Sequence, residues 1–226
     1  MSTTVLLDFD GTVCVGDAPV WAYAEQVGSL IGDEKFGPIA DALSRFLDGT
    51  EAADHIDGYS AVAALSDGLL TPAQRDDCYR RSRSLLAAGA LDVTAPTGLS
   101  TWLAERRFRA VLVTNAPGIG VVQTLSRLGL DGAFDEIVTD AGKPSGLHRV
   151  IDAHVADGPL VSIGDIWVND LAPAHEKGCA TAYVDRFGLG DGTPSWRAAT
   201  LGELLPDLDA WLVDPAHART RHPAAH

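Results

Sequence analysis

The chain opens with a short apolar run, Val5-Leu6-Leu7, that stops at Asp8-Phe9-Asp10-Gly11-Thr12. An apolar run of strand length feeding a polar, glycine-containing turn predicts a buried β-strand. From about Ala18 to Gly89 the pattern changes. No strand is predicted there, and apolar residues recur at helical spacing over residues 19–31, 33–47, 52–65 and 72–88. In the second of these segments Phe36, Ile39, Ala40, Leu43, Phe46 and Leu47 fall on one face. Gly58 interrupts the third, and the fourth begins on Thr71-Pro72, a threonine cap followed by proline in the first turn. Beyond residue 95 helices and strands alternate. Helices are predicted over 96–107, 118–128, 147–155, 169–177 and 201–212, and strands over 110–113, 137–138, 160–163 and 181–184. Short apolar strands alternating with helices predict an α/β fold, a Rossmann-like parallel sheet with helices on both faces. The expected organisation is an α/β core from residues 1–17 and 90–213, an inserted all-helical domain over 18–89, and a disordered tail over 214–226, where Pro, Ala, His and Arg follow no period.

Three strands end in polar residues: Asp8 and Asp10, Thr114 and Asn115, and Asp165. Ligands of open α/β sheets bind at the carboxyl ends of strands, so these side chains are expected on one edge. Carboxylates as crowded as Asp8, Asp10, Asp165 and Asp170 either raise their pKa values or hold a hard cation. An all-oxygen donor set without His or Cys favours Mg²⁺. Lys143, the Thr114 hydroxyl and backbone N–H groups at a helix start would complete a phosphate cradle. A carboxylate beside the cation can act as nucleophile, and its neighbour two residues on can move the proton.

Taken together, Asp8-Phe-Asp10-Gly-Thr12, Thr114 after an apolar strand, Lys143 in Gly142-Lys-Pro-Ser145 and Gly164-Asp165-Ile-Trp-Val-Asn-Asp170 resemble the four motifs of the haloacid dehalogenase-like (HAD) superfamily, in order. The resemblance covers nearly all of the chain except the tail. It implies a phosphatase in which Asp8 is the nucleophile that forms an aspartyl-phosphate and Asp10 the acid and base. It further implies Mg²⁺ on Asp8, Asp10 (through its backbone carbonyl) and Asp165, phosphate binding by Thr114, Asn115 and Lys143, and Asp170 behind them orienting Lys143 or a metal-bound water. The helical insertion after the first motif corresponds to a cap that closes over the site, hinged at residues 13–18 and 89–95. Trp21, Tyr23, Phe36, Arg45, His55, Tyr59 and Arg83 are its candidates for facing the substrate, and helical spacing does not say which of them do. The expected function is Mg²⁺-dependent hydrolysis of small phosphate monoesters. A phosphosugar mutase of the same superfamily is the alternative, with a non-enzymatic phosphorylatable receiver-type module behind it. Dehalogenation on carbon needs no cation and is disfavoured by Asp10, Asp165 and Asp170.

Composition narrows the partners. The 226 residues carry 31 acidic against 17 basic side chains, a formal charge of −14. This argues against nucleic acid and anionic membranes, which require a cationic face. Cys14, Cys78 and Cys179 are too sparse for a disulfide framework or a zinc site. The opening residues lack a signal-peptide pattern and no apolar run reaches membrane length, so a cytoplasmic location is expected. The partner is expected to be a small phosphorylated metabolite, with the chain a monomer or homodimer. The acidity then requires a local reversal of the field, assigned here to Mg²⁺, Lys143 and helix N-terminal amides.

Overall fold

The structure is a computed structural model that describes residues 2–50 and 55–215. Residues 51–54, at the start of the third predicted helix, and 216–226, most of the expected tail, lie outside the described residues. Six strands form one parallel sheet in the order β3-β2-β1-β4-β5-β6: β1 Thr4–Leu7, β2 Arg109–Val113, β3 Glu136–Val138, β4 Leu160–Gly164, β5 Ala180–Val184 and β6 Trp196–Ala198. β1 sits at the centre, with Leu7 paired to Leu112 of β2 on one side and to Ile163 of β4 on the other. The chain moves outward through β2 and β3, then returns to the far side of β1. The switch in direction therefore lies at the central strand, where such sheets bind ligands beyond the strand ends.

All four residues of β1 are buried, as are the five of β4. That is the burial of strands covered on both faces, and it is why they read as unbroken apolar runs. One face packs Leu6, Val111, Val113 and Leu160 against Leu147 and Ile151 of a helix over Ser145–His154. β6 was not anticipated from the sequence. It is a three-residue edge strand, Trp-Arg-Ala, only partly buried, so it carries no apolar run and its alternation is too short to stand out.

The described residues divide into two compact units. The sheet unit takes the chain up to Val15, Ala95–Gly118 and everything from Leu128 onward; the second unit takes Gly16–Thr94 with Ile119–Arg127. The second is all helical: α1 Ala18–Ile31, α2 Asp33–Leu47, α3 Gly58–Leu65, α4 Pro72–Ala88 and, after a helix α5 over Leu99–Ala104 in the sheet unit, α6 Val121–Arg127. Arg127 of α6 donates to the Leu86 carbonyl of α4 at 3.2 Å, which explains its grouping with the helical unit. Thr71 caps α4 as its sequence predicts, accepting from the Gln74 N–H, whose side chain returns the bond to Thr71. Gly58 does not interrupt α3 but begins it. Asp57 is the cap, accepting from Ser60 N–H at 2.6 Å, and that bond starts the helix at the glycine. Among the proposed specificity residues, Tyr23 and Arg83 are buried. Tyr23 forms a ring cluster with Tyr59 and Tyr79, in which Tyr79 meets both of the others edge-on. No helix among the described residues is long and apolar enough to cross a membrane.

Candidate functional site

All seven residues singled out in the sequence lie in the sheet unit, at or just beyond the carboxyl ends of β1, β2 and β4 or in the loop after β3. Asp8 follows β1, Thr114 follows β2 and Asp165 follows β4. Lys143 comes from the loop after β3. Its side chain is buried, and its ammonium donates to Asp8 Oδ1 at 2.6 Å, to Asp170 Oδ1 at 2.6 Å and to the Val113 carbonyl at 2.9 Å. An ammonium has three N–H donors, so every one is engaged.

Asp170 is held as firmly. Its Oδ2 accepts from the Ile166 N–H at 3.0 Å and its carbonyl from the Ser162 hydroxyl at 2.6 Å. The sequence predicts one helix over residues 169–177. The structure instead has a π-helical turn over Trp167–Leu171, then a short helix over Ala172–Glu176 with Pro173 in its first turn. Proline supplies no N–H to the carbonyl one turn back, and the wider turn at this point carries Asp170. Thr114 is buried, and its Oγ1 accepts from the Ala116 N–H at 3.0 Å while its O–H stays available to donate. Asn115 does something the sequence did not suggest. Its Oδ1 accepts from the Lys143 N–H at 2.6 Å and its Nδ2 donates to the Lys143 carbonyl at 3.1 Å. The amide thus pairs with the lysine's main chain as a neighbouring strand would. Ser162 was also missed; its one signal is a hydroxyl inside the apolar strand Leu-Val-Ser-Ile-Gly. A further missed residue is Asp185, a fourth acid at a strand end, whose carboxylate is used within its own loop by Leu189 N–H, Gly190 N–H and Arg197.

The electrostatics are those of crowding. One oxygen each from Asp8, Asp165 and Asp170 lies within 4.8 Å of the others. At that separation, with an effective dielectric of about 20, each pair of unit charges repels by about 3 kcal/mol. Burial pushes the Asp8 carboxyl up to about 7; Lys143 opposes the rise, and the charges of Asp170 and Asp10 add to it. Burial works against the Lys143 ammonium, but Asp170 and Asp8 hold its pKa above the ordinary lysine value. The donor set fits a hard divalent cation: it is all oxygen, buried or half-buried, and over-supplied with negative charge. Gly11 keeps the approach open. Its φ is +83°, and a β-carbon there would fall on the Asp165 carboxylate.

No family model matches the chain, and no curated protein matches it in sequence. Solved structures do match its fold. The HAD-hydrolase YfnB from Bacillus subtilis, bound to magnesium, superposes with a TM-score of 0.63 at 18% identity, over 92% of this chain and 99% of that one. CbbY from Rhodobacter sphaeroides, in complex with phosphate, gives 0.62 at 18% identity over 92% and 100%. The 2-haloacid dehalogenase from Pseudomonas syringae pv. Tomato gives 0.54 at 19% identity over 93% and 100%. A central β1 flanked by β2 and β4, the acids beyond β1 and β4, the lysine reaching back to both, and these superpositions lead to one structural conclusion: the chain has the haloacid dehalogenase-like hydrolase fold.

Proposed function

We propose that the protein is a hydrolase of small phosphate monoesters that requires Mg²⁺ and works through an aspartyl-phosphate on Asp8. The observation that carries this reading is the buried Lys143 ammonium, held between Asp8 and Asp170 beyond the central strand. A fixed cation beside Asp8, at the switch point of the sheet, supports its reading as the carboxylate that meets an anionic phosphoryl group. The folds that superpose on this one include a protein bound to magnesium and another bound to phosphate, which is consistent with that chemistry.

Asp8, the Asp10 backbone carbonyl and Asp165 would hold Mg²⁺, which would offset the clustered carboxylates, keep Asp8 ionised near neutrality and take up charge from the phosphoryl oxygens. The protein's own groups perform the rest. A carboxylate oxygen of Asp8 forms a bond to phosphorus while the bond from phosphorus to the leaving oxygen breaks, and the Asp10 carboxyl gives its proton to that oxygen. Water then attacks phosphorus, Asp10 takes the water's proton, and the bond from phosphorus to Asp8 breaks to release phosphate. The Thr114 hydroxyl and the Asn115 N–H bind the phosphoryl oxygens, Lys143 joins them by exchanging its bond to Asp8 for one to the phosphoryl group, and its bonds to Asp170 and the Val113 carbonyl keep it in place. Charge on a transferring phosphoryl group spreads over its equatorial oxygens, so positioning and positive charge carry most of the rate. The helical unit, residues 18–89 in this reading, serves as the cap that selects the leaving group.

The test is a phosphate-release screen over phosphorylated metabolites with Mg²⁺, repeated in EDTA and with Asp8→Asn. Release that persists in either control would overturn the mechanism. A hexose phosphate converted to its isomer, with little phosphate released, would assign the chain to the mutases. Halide release from a 2-haloacid in EDTA would assign it to the dehalogenases.

A further inference from the structure

Beyond β5 the chain forms a loop over residues 185–195 before returning as β6, and the contacts of this loop converge on one residue. Arg197 of β6 donates through Nη1 to Asp185 Oδ2 at 2.8 Å and through Nη2 to the carbonyls of Asp191 at 2.6 Å and Gly192 at 3.3 Å. Its guanidinium lies over the Tyr183 ring, 5.0 Å from the centroid. Asp185 is itself buried and accepts from the Leu189 and Gly190 N–H groups at 2.8 and 3.0 Å. One planar cation therefore joins the end of β5, the middle of the loop and an aromatic ring of the sheet. The fixed fork of guanidinium donors suits it to that task.

The loop delivers Gly192 onto Trp167. Gly192 has φ +61°, and a β-carbon there would lie inside the indole, so backbone and ring are in direct contact. On its other sides Trp167 meets the His175 and Tyr183 rings, with centroids 5.5 and 6.4 Å away. Trp167 opens the π-helical turn that carries Asp170, two residues after Asp165. The turn is closed by Ile166 N–H to Asp170 Oδ2, by the Asn169 and Asp170 N–H groups to the Ile166 carbonyl at 3.1 and 2.9 Å, and by the Ser162 hydroxyl to the Asp170 carbonyl. The indole packs at the head of this turn with the loop against it.

We infer that Arg197 is a positioning residue for the acidic cluster: it holds the loop so that Gly192 seats Trp167, and Trp167 fixes the turn that presents Asp165 and Asp170. The inference rests on the proposed role of that cluster in holding Mg²⁺, and it adds a residue outside all four motifs to the machinery. Partners behind the ligands commonly change metal affinity 10- to 100-fold when removed.

The experiment compares Arg197→Met, Gly192→Ala and the control Arg109→Met. The control removes another arginine–carboxylate pair, Arg109 with Glu136, at the start of β2. Amide hydrogen exchange is measured in EDTA at Ile166 and Asp170, relative to Val111 in β2, which a general loss of stability would accelerate equally. Mg²⁺ affinity is then measured by isothermal titration with Mg²⁺ alone. Arg197→Met and Gly192→Ala are each expected to speed exchange at Ile166 and Asp170 relative to Val111 by about tenfold and to weaken Mg²⁺ binding by about tenfold, with Arg109→Met changing neither. Relative exchange that stays at the wild-type level in both variants would overturn the inference, whatever the Mg²⁺ titration shows. A wild-type protein that binds no Mg²⁺ would remove the proposed function instead, and the exchange measurement alone would then decide the role of Arg197.

Discussion

Replacing Asp8 by Asn is expected to abolish activity and yet to stabilise the metal-free protein increasingly as pH rises. Asp8 is 8% exposed, and its carboxyl is raised from 3.8 to about 7, first by burial and then, against the pull of Lys143, by Asp170 and Asp10. A group whose folded pKa exceeds its unfolded value binds its proton more tightly in the native state. Its stabilising contribution is therefore complete below the unfolded pKa and is lost as pH rises through the folded one. Between 3.8 and about 7 the native state holds more protons than the unfolded state, so this group lowers the free energy of unfolding as pH increases. At about 1.4 kcal/mol per pH unit, the whole interval corresponds to a ceiling of about 4 kcal/mol. Asparagine has nearly the same shape, keeps an acceptor for the Lys143 ammonium and does not titrate. Constant differences between the two side chains cancel when the comparison is made across pH. In EDTA the stability of Asp8→Asn relative to wild type should rise by about 2 to 3 kcal/mol between pH 5 and pH 8. Urea unfolding followed by circular dichroism at the two pH values measures this directly. A relative stability independent of pH, or one that moves against the variant, would show that the buried carboxylate is not the strained member of the cluster. Saturating Mg²⁺ should shrink the variant's advantage, because a ligand at 100 times its Kd adds about 2.7 kcal/mol to the protein that binds it.

Four other substitutions, at three positions, extend the test. Lys143→Met removes the one ammonium between Asp8 and Asp170 and leaves two buried carboxylates facing each other, so the metal-free protein should lose about 3 to 5 kcal/mol in urea unfolding. A loss under about 1 kcal/mol would mean that the lysine is not holding the acids apart. Asn115→Ala removes both bonds to the Lys143 main chain and should cost about 1 to 3 kcal/mol in urea unfolding, along with a slower phosphate release; Asn115→Asp keeps the acceptor but turns a second oxygen on the Lys143 carbonyl, and should cost at least as much above pH 5. Asp135→Asn tests the opposite sign. Burial raises that carboxyl, but the Ala110 N–H and Arg106 outweigh it and hold it below the usual 3.8. Its contribution is therefore present above 3.8 and lost as pH falls through the lower folded value. The melting temperature should thus drop more steeply below pH 4 in wild type than in the variant.

The parts of this fold most legible in the sequence are those built from apolar runs. Val5-Leu6-Leu7 and Leu160-Val-Ser-Ile163 read as strands because the sheet covers both of their faces, and the acids at their ends stand out against the apolar runs. β6 was invisible because Trp-Arg-Ala lacks the adjacent β-branched pair, Ile137-Val138, that marks the equally short and equally exposed edge strand β3. Gly58 was misread because a helix-start glycine and a helix-breaking glycine look alike until the cap, Asp57, is seen to bond to Ser60. Arg83 is one of the seven residues that helical spacing leaves open as facing a substrate, and it is wholly buried. Within the site, residue types at strand ends could be read, but contacts between loops could not. The Asn115 amide on the Lys143 backbone and the span from Arg197 to Trp167 depend on segments distant in sequence approaching each other, and no spacing encodes that.

The structure also alters the account of charge. On sequence alone, Lys143 shares with Mg²⁺ and helix amides the task of making an acidic protein attractive to a phosphate. In the folded chain its three donors are all taken, two of them by carboxylates. One ammonium stands among Asp8, Asp10, Asp165 and Asp170, and the Asp8 carboxyl is pushed up to about 7, first by burial and then, against Lys143, by its acidic neighbours. The lysine thus permits the acids to be assembled, but it does not by itself reverse the sign of the site. Further positive charge has to arrive with or before the substrate. Inorganic phosphate should therefore bind measurably by calorimetry with Mg²⁺ and far more weakly in EDTA, and equal affinity under the two conditions would return the field reversal to the protein's own groups.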